Sequence, residues 1–185
     1  LSPLLAQVIL NRGIESPNLA QVYINPDLES LPDPLNEFPD LFASLELLKE
    51  AIETGEKIAI CGDYDADGMT STALLLRALR WLGADVNYAI PSRMKDGYGI
   101  NKRIVEEFAR EGVGLVLTVD NGISAHEAIA RAVDLGLTVI ITDHHDLPPE
   151  LPDADAILNP KLLPKSSPYW GLDRKSTRLN SSHLG

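Results

Sequence analysis

The apolar positions change period partway along the chain, and that change sets the expected fold. Up to residue 55 they recur at helical spacing. Leu4, Leu5, Val8 and Ile9 form one short apolar face over residues 3–12, ending near Gly13. Ser16 is placed to cap a second short helix running through Val22. Pro26, Pro32, Pro34 and Pro39 then break regular structure between residues 25 and 39, which reads as a connector. A longer amphipathic helix follows, with Leu41, Leu45, Leu48 and Ile52 on one face and Gly55 as its stop.

From Lys57 onward, short β-branched runs alternate with helical patterns. Strands are predicted at 57–61, 86–90, 115–119 and 138–142, with a weaker one at 156–158. Helices are predicted at 69–82, with Leu75, Leu79 and Leu82 inward, and at 101–111, with Ile104, Val105 and Phe108 inward. A third spans 124–135, where Ser124 and Glu127 form a capping-box pair. This alternation indicates an α/β fold: a parallel sheet with helices on both faces, preceded by a small helical segment. Ligands in such sheets bind at the carboxyl ends of the strands.

A chain of 185 residues that is 44% hydrophobic can bury one core, with room for a small appendage. The expected divisions are residues 1–38, the helical segment and connector, and residues 39–172, the α/β domain. Residues 173–185 resemble one reading frame of a common sequencing-library adapter and are set aside as an artefact. With no initial Met, and with that tail, the chain reads as a fragment that stops inside a domain. The net charge of -11 excludes a broadly basic nucleic-acid surface, so an anionic substrate must be met by local cations or metals. Cys61 is the only cysteine, which excludes an internal disulfide and fits a reducing compartment. Leu1 to Leu10 has no basic n-region, and no apolar run is long enough to span a bilayer. The expectation is a cytoplasmic protein without a membrane partner.

Three acidic motifs follow three of the predicted strands. The first is Gly62-Asp63-Tyr64-Asp65-Ala66-Asp67-Gly68. Clustered carboxylates raise one another's pKa unless a cation neutralises them. An EF-hand reading fails, because the twelfth loop position is Leu74 and a strand precedes the loop. Two carboxylates two apart on an extended chain share a face, so Asp65 and Asp67 are expected to converge while Asp63 fixes the turn. The second motif is Val119-Asp120-Asn121-Gly122. Asn-Gly is a hairpin signal, but a capped helix follows rather than a returning strand. The third is Asp143-His144-His145-Asp146. Imidazole with carboxylate suits a first-row ion such as Mn²⁺, whereas carboxylate alone suits Mg²⁺ or Ca²⁺. Asp143 or Asp146 is placed to orient a ring nitrogen. Together the motifs supply ligands for two metals, which about 3.5–4 Å apart clamp the attacking and leaving oxygens of a phosphoryl displacement. Phosphoester hydrolysis follows, with an aminopeptidase-like use of two metals still open. After the second strand, Arg93 and Lys95 are the cations nearest by topology, and Tyr98 is placed to stack on a base. The helix after Gly68, with Thr70 and Ser71, offers free N–H groups to an anion.

Gly-Asp-Tyr-Asp-Ala-Asp-Gly at 62–68, Val-Asp-Asn-Gly at 119–122 and Asp-His-His at 143–145 resemble the first three motifs of the DHH phosphoesterase superfamily. The Arg-x-x-x-Gly-Tyr-Gly loop at 93–99 and Leu-Asn-Pro at 158–160 resemble its RecJ branch, the exonucleases specific for single-stranded DNA. The likeness covers residues 4–172 and implies a parent protein that degrades single-stranded DNA from 5′ to 3′ in repair and recombination. The implied cofactors are two divalent ions, Mn²⁺ or Mg²⁺. Asp65 and Asp67 would each bind one metal, Asp120 would bridge both, and His144 would be a further ligand. His145 would contact the scissile phosphate or a metal, so His145 and the bridging Asp120 are the implied catalytic residues, and Arg93 would hold a DNA phosphate. Asp63 and Asp143 would support the ligands from behind. Cys61 stands where the pyrophosphatase-like branch has a histidine, and it reads as a small buried residue. The superfamily's fourth motif, with a further metal-binding Asp, and its later domains lie beyond residue 172, so the fragment alone is expected to be inactive. Rival readings are a DHH enzyme for short oligonucleotides or cyclic dinucleotides, and a non-catalytic replication scaffold. The implied partner is single-stranded DNA, with other repair proteins unspecified.

Overall fold

The structure is a computed structural model describing residues 1–25, 31–92 and 97–172. The chain divides into two compact units, Leu1–Asp33 and a larger one beginning at Pro34.

The first unit holds α1 (Pro3–Leu10) and α2 (Pro17–Ile24). Each begins with proline, whose missing N–H costs nothing in a first turn. Ser2 caps α1 through its side chain. Ser16 occupies the cap position of α2 without a side-chain bond, and that helix runs two residues past the expected end.

In the second unit, a helical turn, α3 (Pro34–Glu37), forms inside the stretch expected to be irregular. Pro34 starts it rather than breaking it, because a first-turn proline is pre-set for helix. Next comes α4 (Leu41–Thr54), closed by Gly55 in the left-handed conformation (φ 71°). Its inward stripe is Ser44, Leu47, Leu48, Ala51 and Ile52. Leu45, expected inward, is 45% exposed. A stripe passing through 44, 48 and 51 leaves residue 45 on its flank.

The rest alternates: β1 (Lys57–Cys61), α5 (Ala66–Trp81), β2 (Val86–Ala89), α6 (Lys102–Arg110), β3 (Val113–Val119), α7 (His126–Asp134), β4 (Thr138–Thr142) and β5 (Ala156–Leu158). The strands form one parallel sheet in the order β2-β1-β3-β4-β5. Alternation within each strand feeds two cores. Ile58, Ile60, Leu115, Leu117 and Ile140 face one core with Ala51 of α4 and Leu79 of α5. Ala59, Cys61, Val116, Val139 and Ile141 face the other with Val105 of α6 and Ile129 of α7. Burying each such aliphatic side chain contributes about 1.5–3 kcal/mol. The α/β sheet covered on both faces is thus as expected, and Cys61 is fully buried. Asp40 precedes α4 and spends its carboxylate on the Ile157 N–H of β5 (2.9 Å), tying the edge strand to the helix.

Three further expectations fail. The helix after the first motif begins at Ala66, not Met69, because Asp65 caps it by accepting from Gly68 N–H (2.9 Å). At its far end Leu82 is 55% exposed rather than inward. The Ser124–Glu127 capping box does not form. Helix α7 starts at His126, and Glu127 pairs instead with Lys102 of α6 (2.8 Å).

The strand order creates the site. From β1 the chain steps to β2 on one side, and β3 then returns to the other side of β1. The loops after β1 and β3 therefore part at a topological switch point, leaving a crevice beyond their carboxyl ends. The first motif leaves from β1 and the second from β3.

Candidate metal centre

The turn between β1 and α5 is tight because two glycines allow it. A Cβ at Gly68 would lie 2.7 Å from the Asp63 backbone, so only glycine lets the helix start so close to the strand end. Asp63 is buried, and its Oδ1 accepts from Tyr64 N–H (2.8 Å), as expected of a turn-fixing residue. Asp65 is the N-cap, and Asp67 lies in the first helical turn. The premise of an extended chain joining Asp65 and Asp67 does not hold.

At the end of β3, Asp120 has φ 62°, the only positive value at a non-glycine residue among those described. Left-handed backbone at such a residue costs about 1–3 kcal/mol and marks a position held by its surroundings. Its N–H donates to Thr142 O (3.0 Å), and its carbonyl accepts from the Tyr98 hydroxyl (3.0 Å). Its carboxylate Oδ1 lies 2.6 Å from His144 Nε2.

After β4, Asp143 acts as a hub. Its Oδ1 accepts from the N–H groups of His144 (2.7 Å) and His145 (3.0 Å) and from His145 Nδ1 (2.7 Å). Its Oδ2 accepts from Ile123 N–H (3.0 Å). Carboxylate is acceptor-only, so His145 carries its proton on Nδ1, and its Nε2 lies 3.2 Å from the Tyr98 hydroxyl. Asn159 supports the same segment by donating to His145 O (3.0 Å).

Two groups of ligand atoms result, each within 4.8 Å: Asp63 with Asp65 and Asp120, and Asp120 with His144 and His145. Asp120 belongs to both. Neither group includes Asp67, which lines an open cavity of about 430 Å³ together with Ser71, Asp120, Asp143 and His144. Asp63 takes the nearer place because it follows β1 at the level where Asp120 follows the adjacent β3, Cys61 pairing with Thr118, while Asp67 rides on the helix. Arg93 and Lys95 lie outside the described residues. Thr70 turns its hydroxyl back to Ala66 O (2.7 Å), so that side chain is committed to its own helix.

The field here is negative. Burial pushes the Asp120 carboxyl above its usual range, and the Asp65 carboxylate pushes the same way, while His144 opposes them. The Tyr98 phenol is raised by burial first, then by Asp63, Asp143, Asp120 and Asp65. Oxygen and imidazole donors converging where carboxylates burden one another fit divalent cations. Tyr98, expected to stack on a base, uses its hydroxyl on the rim and packs edge-on against His145, ring centroids 5.7 Å apart. The signal missed in the sequence was Asn121, legible there only as half of a turn dipeptide.

A parallel sheet with acidic and histidine side chains gathered at its switch point is an arrangement suited to holding divalent cations. The family description "DHH family, N-terminal domain" matches residues 57–177, and the chain belongs to that family. Among its relatives is the single-stranded-DNA-specific exonuclease RecJ of Bacillus subtilis, 42% identical over 161 residues, covering 87% of this chain and 20% of the relative. A crystal structure of exonuclease RecJ bound to manganese matches with TM-score 0.65 and 41% identity, covering 69% of this chain and 33% of that one. The RecJ of Thermus thermophilus in complex with Mn²⁺ matches with TM-score 0.68 and 35% identity, covering 87% of this chain and 22% of that one. The chain therefore spans about a fifth to a third of the length of the proteins it matches.

Proposed function

We propose that this chain carries the metal-binding part of a nuclease that hydrolyses single-stranded DNA from 5′ to 3′ in repair and recombination. The observation that carries the reading is the sharing of Asp120 between two ligand groups at the switch point of the sheet. The RecJ relatives act on single-stranded DNA by name, and two matched structures hold manganese. Asp65, Asp120 and His144 are proposed ligands, Asp63 and His145 complete the two groups, and Asp67, on the wall of the adjoining cavity, is proposed as a further ligand. The cations would be Mn²⁺ or Mg²⁺, supplying Lewis acidity and charge neutralisation at a phosphate.

The chain's own residues supply the rest. The Asp143 carboxylate holds the His145 ring through Nδ1, and a phosphate oxygen or a metal meeting Nε2 would take the place of the Tyr98 hydroxyl there. Tyr98 and Thr142 hold the Asp120 peptide from both sides. Arg93 is the proposed phosphate contact. Among the described residues no helix is long and apolar enough to cross a membrane. A DNA substrate places the protein in the cytoplasm on this reading.

The test has two parts. Mn²⁺ should bind the 185-residue chain in calorimetry, and Asp120→Ala should weaken binding by on the order of 100-fold or more, since both ligand groups lose a member. Fusing residues 4–172 into the matching segment of the B. subtilis enzyme should give Mn²⁺-dependent digestion of a long 5′-phosphorylated single strand in preference to a dinucleotide. The isolated chain should digest it little, given the small share of the relatives it spans. Robust digestion by the isolated chain would overturn its expected inactivity, and a preference for the dinucleotide would overturn the single-strand reading.

A further inference from the structure

Asn121 has no place in the chemistry described so far, yet it is one of the best-held polar side chains in the protein. It is 0% exposed and lies directly after Asp120. Its Nδ2 donates to Cys61 O at the end of β1 (3.0 Å) and to Val119 O at the end of β3 (2.8 Å). Its Oδ1 accepts from Ile100 N–H in the loop after β2 (3.0 Å). Two carbonyls on one side and one N–H on the other leave a single orientation for the amide. One side chain thus joins the ends of three segments that meet at the crevice.

The bond to Val119 O has a further consequence. It closes the chain around the one residue between them, Asp120, and that residue has the positive φ. The Tyr98 hydroxyl then holds the Asp120 carbonyl from the loop side. Between Tyr98 and Ile100, Gly99 takes φ 67°, and a Cβ there would come within 3.1 Å of Asn121 Cβ. The loop is seated against the amide as closely as a glycine permits.

We propose that Asn121 is a positioning residue for the metal centre. With the Tyr98 hydroxyl, it holds Asp120 in its left-handed conformation so that the carboxylate faces both the first motif and His144. This rests on the metal-binding reading above, but its geometry can be read without metal. A contact of 2.6 Å between His144 Nε2 and Asp120 Oδ1 should give a strongly downfield imidazole N–H resonance in the metal-free chain.

The experiment compares the wild-type chain with Asn121→Asp and Asn121→Ala at a temperature where circular dichroism shows all three folded. Asn121→Asp keeps the shape but sets carboxylate oxygens against two carbonyls. In both variants the downfield resonance should disappear and Mn²⁺ affinity should fall by about tenfold or more. A lower Tm with the resonance and the Mn²⁺ affinity unchanged would show a merely structural residue and overturn the proposal. If neither variant folds, Tyr98→Phe decides, because it keeps the ring and removes the hydroxyl that holds the Asp120 carbonyl and adjoins His145. It should shift the resonance and weaken Mn²⁺ binding about two- to fivefold, and wild-type values would overturn the proposal. If the wild-type chain shows the resonance but binds no Mn²⁺, the metal reading fails while the resonance still decides the role of Asn121.

Discussion

The two halves of the candidate site are held in different ways. On the β1 side the carboxylates rely on backbone: Asp63 on Tyr64 N–H, Asp65 on the first turn of α5. On the β3–β4 side, side chains hold one another. Asp143 accepts four hydrogen bonds, His144 meets Asp120, and His145 lies between Asp143 and Tyr98. A backbone contact sets where a carboxylate starts, and it leaves Asp65 exposed although Asp63 is buried. A side-chain network also sets where a ring points. The β3–β4 half is therefore preorganised, and the β1 half is the adaptable one.

Removing the hub should erase this difference most completely. Asp143→Ala leaves the His144 and His145 N–H groups and the His145 ring without their acceptor. Mn²⁺ affinity of the chain should drop about 10–100-fold in calorimetry, the usual cost of losing a group that orients ligands. Each buried donor left unpaired adds about 1–3 kcal/mol of instability, visible as a lower denaturation midpoint. Equal Mn²⁺ affinity in the variant and the wild type would mean the half is not preorganised.

A paired substitution on the other side separates ligand from cap. Asp65→Asn retains an N-cap for α5, whereas Asp65→Ala loses it at about 0.5–2 kcal/mol. Both should weaken Mn²⁺ binding, but only the alanine variant should lower Tm. Matching Tm values would show that the cap bond contributes nothing.

The smallest effect concerns protons. The carboxyl of Asp120 is raised in the folded chain, burial being the main cause. The folded metal-free chain therefore takes up a proton at higher pH than the unfolded chain does. This group's contribution favours folding as pH falls through its raised pKa and opposes it above. Mn²⁺ needs the deprotonated form, so binding should release protons near that pKa. Calorimetry in buffers of differing ionisation heat would detect this. Buffer-independent heats throughout the acid range would refute it.

Much of the fold was legible because its signals are local. The strand at 138–142 and the inward Ile104, Val105 and Phe108 of α6 follow from period alone. Gly55 announced the end of α4. The failures were local signals overruled from afar or by a neighbour. Glu127 had two uses available, a cap and a cross-helix ion pair, and the packing of α6 against α7 selected the second. Asp65 read as part of an extended acidic turn, but as a good N-cap it drew the helix start back to Ala66.

The candidate site divides the same way. Local pattern was enough to put Asp63, Asp65, Asp67, Asp120, Asp143, His144 and His145 after strands of a parallel sheet, and so on its carboxyl rim. Period-two and period-3.6 patterns extend over a few residues, and they carry that much. Which of these groups meet was set by the packing of distant segments. Asp120 reaches Asp63 because β3 lies beside β1, and it reaches His144 because β4 lies beside β3. Asn121 braces Cys61 from 60 residues away, and Tyr98 reaches the Asp120 carbonyl from 22. Hydrogen bonds over such separations depend on strand order, which no window of a few residues contains.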